Sequence, residues 1–166
     1  GIRDNGANGP KDIRGKNSHP YKFLSLANAK VLAEKIVEAR QEHKWNPRIE
    51  MAMHGEPTMN PEYKEIVQTL REYLPTTHLQ MTTNGGGLLR GDLSENIDDL
   101  MKAGLNVLLL DNYEGIKICD KVRSNYEGPH PLFEYPSNKK ANPHRRRKPT
   151  DHDIVVSQDI STASQG

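Results

Sequence analysis

Two short stretches carry residue types and spacings that can hold a ligand. Gly55-Glu56-Pro57 closes one run of alternating polarity, and Thr83-Asn84-Gly85, followed by Gly86 and Gly87, closes the next. Gly55 lets backbone approach a ligand, Glu56 offers an acceptor for a cation, and Pro57 stiffens the exit. Such a loop suits an ammonium group. Asn84 and the glycines after it supply a side-chain amide with exposed backbone donors and acceptors, useful around a ribose or a carboxylate. Singly, each stretch also reads as a plain turn or a helix approach. At successive strand ends they favour one shared site, because α/β folds place their ligand loops where strands give way to helices.

The elements that must position these loops follow from periodicity. Leu26, Ala29, Ala33, Ile36 and Val37 recur at helical spacing across residues 25–43, and Asn46-Pro47 stops that helix. Ile49, Met51 and Met53 then alternate with Glu50, Ala52 and His54, as in a strand. Asn60 and Pro61 supply an N-cap and first-turn proline for a second helix with Ile66, Val67, Leu70 and Leu74 inward, ended by Pro75. Residues 78–83 alternate again. A third helix is expected from Ser94 to a Gly104 cap, a buried strand over 106–110, and a fourth helix from about Gly115 with Ile116, Cys119 and Val122 on one side. Gly128-Pro129 breaks it, residues 129–149 show no periodicity, and Ile154, Val155 and Val156 suggest one more strand.

The strand ends near His54, Thr83 and Leu110 lie about 28 residues apart, the length of a βαβ unit. Right-handed crossovers then build a parallel sheet with helices on one side, as in a section of a β/α barrel, or on both. Glu50, His54, Gln80 and Thr82 are too polar for a face packed under helices and suit a barrel interior. The expected fold is α/β, a partial parallel (β/α) barrel. Residues 23–126 form its core, 1–22 a flanking loop, and 127–166 a basic loop with a further strand.

Residues 48–113 resemble the radical S-adenosylmethionine enzymes, whose partial β/α barrel carries a G-E-P loop after its second strand and a T-N-G loop after its third. Gly55, Glu56 and Pro57 match the first motif, and Thr83, Asn84 and Gly85 the second. The resemblance implies that Gly55 and Glu56 engage the methionine amino group of S-adenosylmethionine, chiefly through backbone atoms. It places Thr83 and Asn84 near cofactor or substrate, and Asp111 near the ribose, with Leu109 standing where a serine is common. The family also binds a 4Fe–4S cluster through C-x3-C-x2-C after its first strand, and an electron donor drives reductive cleavage to a deoxyadenosyl radical. This chain has a single cysteine, Cys119, so no cluster ligands are expected in it. The expectation is a catalyst core lacking the first strand and cluster loop, by truncation or by loss, and inactive alone. Its substrate, whether small molecule, peptide or nucleotide, is not readable.

The net charge of +1 predicts no general affinity for nucleic acid or membrane, and no apolar run reaches the ~18 residues that span a bilayer. Lone Cys119 fits a reducing, cytoplasmic setting. One basic cluster runs over 139–148, from Lys139 and Lys140 through Arg145, Arg146 and Arg147 to Lys148, and gives the rival reading of a non-catalytic nucleic-acid-binding module. His54-x-Glu56 matches half of a zinc deaminase signature, whose P-C-x-x-C partner this chain lacks. Asp151-His152-Asp153 reads as a solvated turn rather than a metal site, and His19, His43, His78, His130 and His144 show no ligand spacing.

Overall fold

The computed structural model describes residues 23–51, 55–112, 116–134 and 152–156. Among these residues helices and strands alternate: α1 Leu26–His43, β1 Ile49–Met51, a 3-10 turn at Pro57–Met59, α2 Tyr63–Tyr73, β2 Leu79–Thr83, α3 Leu93–Lys102, β3 Val107–Leu110, α4 Ile118–Asn125, β4 Leu132–Glu134 and β5 Asp153–Val156. Every strand pair among them is parallel, and the order across the sheet is β1-β2-β3-β5-β4. The first three strands follow the expected repeat. The last two depart from it, because β5 enters between β3 and a short edge strand, β4, in a stretch without periodicity.

Helix boundaries follow the local signals. Ser25 caps α1, its hydroxyl accepting from Asn28 N, and Lys44 ends it in the left-handed conformation. Asp92 caps α3 slightly ahead of the expected start, accepting from Glu95 N. The second helix begins at Tyr63, later than Asn60 suggested: Asn60 Oδ1 accepts from Glu62 N at 3.0 Å while its amide donates to Leu24 O at 2.8 Å. Glu62 Oε2 then accepts from Leu26 N, an orphan donor of α1's first turn. A loop that sequence assigns to one helix thus serves two.

One core joins these helices to one face of the sheet. It takes Ala29 and Ala33 from α1, Ile66, Val67 and Leu70 from α2, Ile97, Leu100 and Met101 from α3, and Ile118, Cys119 and Val122 from α4. From the strands it takes every second residue: Leu79 and Met81, Leu108 and Leu110, Ile154 and Val156. The alternate residues face away from it. In register they form rows Glu50, Gln80, Val107, Asp153 and Thr82, Leu109, Val155. Toward β1 this second face is polar, with Glu50 Oε1 accepting from Thr82 Oγ1 at 3.0 Å and Gln80 Nε2 at 3.3 Å.

Arg71 locks the end of the sheet where strands begin. Its guanidinium donates to the carbonyls of Leu74, Pro75 and Thr77 after α2, to Gly104 O after α3, and to Asn106 Oδ1, at 2.6 to 3.2 Å. Asn106 Oδ1 also accepts from Leu79 N at 2.8 Å, so one cation fixes two helix ends against the starts of β2 and β3. Gly104 adopts φ +105°, and a side chain there would collide with Arg71. Replacing Arg71 by Met leaves these carbonyls unpaired and is expected to cost roughly 3 kcal/mol or more in urea unfolding, with Arg71→Lys recovering little because an ammonium cannot span the fork. A cost below about 1 kcal/mol would show that water replaces the guanidinium.

A second junction ties α3 to the strand edge. Tyr126 Oη donates to Asp98 Oδ1 at 2.8 Å and accepts from His130 N, and His130 Nε2 lies 3.7 Å from the same carboxylate oxygen. Burial pushes His130 below its ordinary value of 6.5, outweighing the nearby Asp98 charge that raises it. The folded state therefore disfavours the imidazolium, and the stability His130 contributes is present above the unfolded pKa and lost as pH falls through the folded one. Melting temperature is expected to drop between about pH 7 and 5, and His130→Gln to flatten that drop. An unchanged pH profile in the variant would remove His130 from the cause.

Candidate functional site

The C-terminal ends of β1, β2 and β3 lie side by side, and the loops leaving them carry most of the sequence-predicted residues. Gly55 follows β1 with φ +128°, a conformation open to glycine at little cost. Pro57 starts the 3-10 turn and Glu56 caps it, its side chain accepting from Thr58 N at 2.9 Å. Thr83 is the last residue of β2, paired with Leu110 of β3. Asp111 N then donates to Thr83 O at 3.0 Å, which brings the third strand end beside the second.

The carboxylate of Glu56 binds the first two loops together. Its Oε1 accepts from the hydroxyls of Thr58, at 2.5 Å, and Thr83, and its Oε2 accepts from Asn84 N at 2.8 Å. Each threonine hydroxyl passes the order outward, Thr83 Oγ1 accepting from Gly85 N at 2.9 Å and Thr58 Oγ1 from Gly87 N at 3.0 Å. Both threonines are 2% exposed, so these hydroxyls have no water to turn to. Asn84 Oδ1 accepts from Gly86 N at 2.9 Å, completing the turn. The four donors on Glu56 match an acceptor-only, ionised group.

This geometry revises one expected role. The Glu56 side chain is engaged by the protein's own donors, so it holds loop to loop instead of presenting a free acceptor to a cation. The glycine run is packed rather than slack: a Cβ on Gly85, at φ +72°, would overlap Ile118, and one on Gly87 would overlap the Thr58 carbonyl. Thr58 was missed from sequence, although a hydroxyl two residues after a capping Glu is the available signal.

Other expected sites stand apart from this edge or outside it. His54 and Asp151 fall outside the described residues, as does the basic run from Lys139 to Lys148. His152 lies in the turn before β5, its ring centroid 5.7 Å from that of His130, and Asp153 is buried in β5. Cys119 is buried in the core, its thiol donating to Leu110 O at 3.3 Å and its backbone N–H to Asn112 Oδ1 at 2.8 Å. Among the described residues no three His, Cys, Asp or Glu converge as a metal set, and no helix is long and apolar enough to cross a membrane.

The architecture has a solved counterpart. BtrN in complex with AdoMet and 2-DOIA superposes with a TM-score of 0.51 over 89% of this chain and 49% of that one, at 16% identity. The fold is shared with BtrN. Selenomethionine BtrN in an open conformation is also similar, with a TM-score of 0.46 over 80% of this chain and 44% of that one, at 18% identity. The chain therefore spans about half the length of the BtrN structures. No protein-family model and no curated protein matches it.

Exchanging Glu56 for Gln turns an acceptor toward Asn84 N–H into a donor. The substitution is expected to cost about 2–4 kcal/mol in denaturant unfolding, since a charged hydrogen-bond hub is lost at a partly buried position. Unchanged stability would mean the two loops hold their shape without the carboxylate.

Proposed function

We propose that this chain is the central part of a radical S-adenosylmethionine enzyme and binds S-adenosylmethionine at the C-terminal edge of β1 to β3. The observation that carries the reading is the 2.8 Å bond from Asn84 N to Glu56 Oε2, which joins the G-E-P and T-N-G loops on one edge. The fold shared with BtrN, whose complex contains AdoMet, supports it. So does the packing of the described helices over one face of the sheet, with polar Glu50, Gln80 and Thr82 on the other, as a barrel section requires.

In this reading Gly55 and Glu56 offer backbone groups to the cofactor's ammonium, while Pro57 fixes the exit of the loop. Asn84 and Gly85 offer polar groups to the sugar or carboxylate, and Asp111 stands at the third strand end to accept from a ribose hydroxyl. The ionised Glu56 adds a fixed negative charge that favours a cationic ligand over a neutral one. A 4Fe–4S cluster does not fit the residues of this chain, because it needs several thiolates and the one cysteine is built into the core. Cofactor binding is the step assigned to these residues. Reductive cleavage would need cluster thiolates that they do not include.

Calorimetric titration of the chain with S-adenosylmethionine is the direct test. Saturable binding is expected, weaker by about tenfold for the uncharged thioether S-adenosylhomocysteine, a difference of about 1.4 kcal/mol. Heat indistinguishable from dilution for both ligands would overturn the assignment. Retention on nucleic acid that weakens steeply with salt and disappears on neutralising Arg145, Arg146 and Arg147 would instead favour the rival binding module.

A further inference from the structure

We infer that Thr58 is a positioning residue that sets the ligand-facing backbone of the T-N-G loop by acting through Glu56. Thr58 reaches that loop once directly and once through Glu56. Its hydroxyl oxygen receives Gly87 N–H at 3.0 Å, and its hydroxyl proton goes to Glu56 Oε1 at 2.5 Å. The same carboxylate takes the Thr83 hydroxyl on Oε1 and Asn84 N–H on Oε2, and Thr83 in turn takes Gly85 N–H. A single threonine on the first loop therefore governs three amides of the next, those of Asn84, Gly85 and Gly87, while bonding directly to that of Gly87 alone.

The direction of the protons makes the relay specific. A carboxylate can only accept, so each threonine must spend its one hydroxyl proton on Glu56 and meet the glycine amides with its lone pairs. The two hydroxyl oxygens lie 3.2 Å apart, close enough for one to bond the other if the carboxylate contact fails. Removing the Thr58 hydroxyl strips Glu56 of a donor and Gly87 of its acceptor together. The carboxylate is then free to rotate toward Thr83, which shifts the Asn84 amide. Valine keeps the shape and loses the chemistry, whereas serine keeps the chemistry and loses one methyl group.

Amide hydrogen exchange by NMR on the whole chain tests the relay without any ligand. Thr58→Val is expected to speed exchange at Gly87 and also, by about tenfold or more, at Asn84 and Gly85, with Thr58→Ser returning all three to near wild-type rates. Acceleration confined to Gly87 would reduce Thr58 to a local bond and overturn the inference, as would failure of serine to rescue. Should the valine variant not fold, the wild-type Thr58 and Thr83 hydroxyl protons decide the matter: held on Glu56 they are protected enough to be observed at low temperature, and rapid exchange of both counts against the relay. The ligand arm rests on the S-adenosylmethionine reading. There Thr58→Val is expected to raise the dissociation constant about tenfold, with rescue by serine, and undiminished affinity would overturn the positioning role. If the wild-type chain binds no S-adenosylmethionine, the cofactor reading falls while the exchange measurements still judge Thr58.

Discussion

A carboxylate taken partly out of water must find donors, and at the top of this sheet it finds them on two different loops. Glu56 receives the Thr58 amide and hydroxyl from its own loop and the Thr83 hydroxyl and Asn84 amide from the next. Such charge-assisted bonds are stronger than neutral ones, and their geometry is fixed by where two parallel strands end. Because β1 and β2 pair with Met51 opposite Met81, the loops leave the sheet at one level and can meet. A shift of one residue would put Thr83 on the other face of the strand and leave the carboxylate without its second set of donors.

The two ends of the sheet are held by opposite charges, each suited to what the backbone offers there. Where α2 and α3 finish, unpaired carbonyls accumulate, and the Arg71 guanidinium collects them together with Asn106. Where the strands finish, N–H groups of the following turns are left over, and the Glu56 carboxylate collects those. Between the two lies an apolar layer from Leu79, Met81, Leu108 and Leu110 against the helices. Burial holds the layers together and rejects a one-residue slip, but it pairs no particular donor with a particular acceptor. The two charged hubs, with fixed donor and acceptor directions, supply what the core cannot.

Much of this order was legible in the chain. Helix α1 follows its apolar stripe, and β2 follows the alternation of Leu79 and Met81 with Gln80 and Thr82, because both signals are local. The N-terminus of α2 lies about two residues beyond the expected Asn60 cap. Asn60 has the right type for a cap, yet its amide is drawn to Leu24 O, 36 positions away in sequence, a partner no local rule contains. Strand β4 was missed for a related reason: three residues at a sheet edge, with Leu132 still 40% exposed, show no alternation, and among the described residues they pair with β5. The sequence placed Glu56 and Asn84 at neighbouring strand ends, but the donors that surround the Glu56 carboxylate were not readable. An acidic residue beside a glycine looks like a ligand until the hydroxyls of Thr58 and Thr83 are seen to surround it.

Cys119 belongs to the core and not to the loop edge. The thiol is fully buried, donates to Leu110 O, and packs beside Ile118 and Val122 under the sheet. Drawing it out of that packing would open the core that carries the strand ends. The loop edge, in contrast, is shaped by polar bonds that Glu56, Thr58, Thr83 and Asn84 make within this chain. The apolar packing under the sheet and the bonded edge above it thus draw on separate sets of residues, so each can be tested without the other.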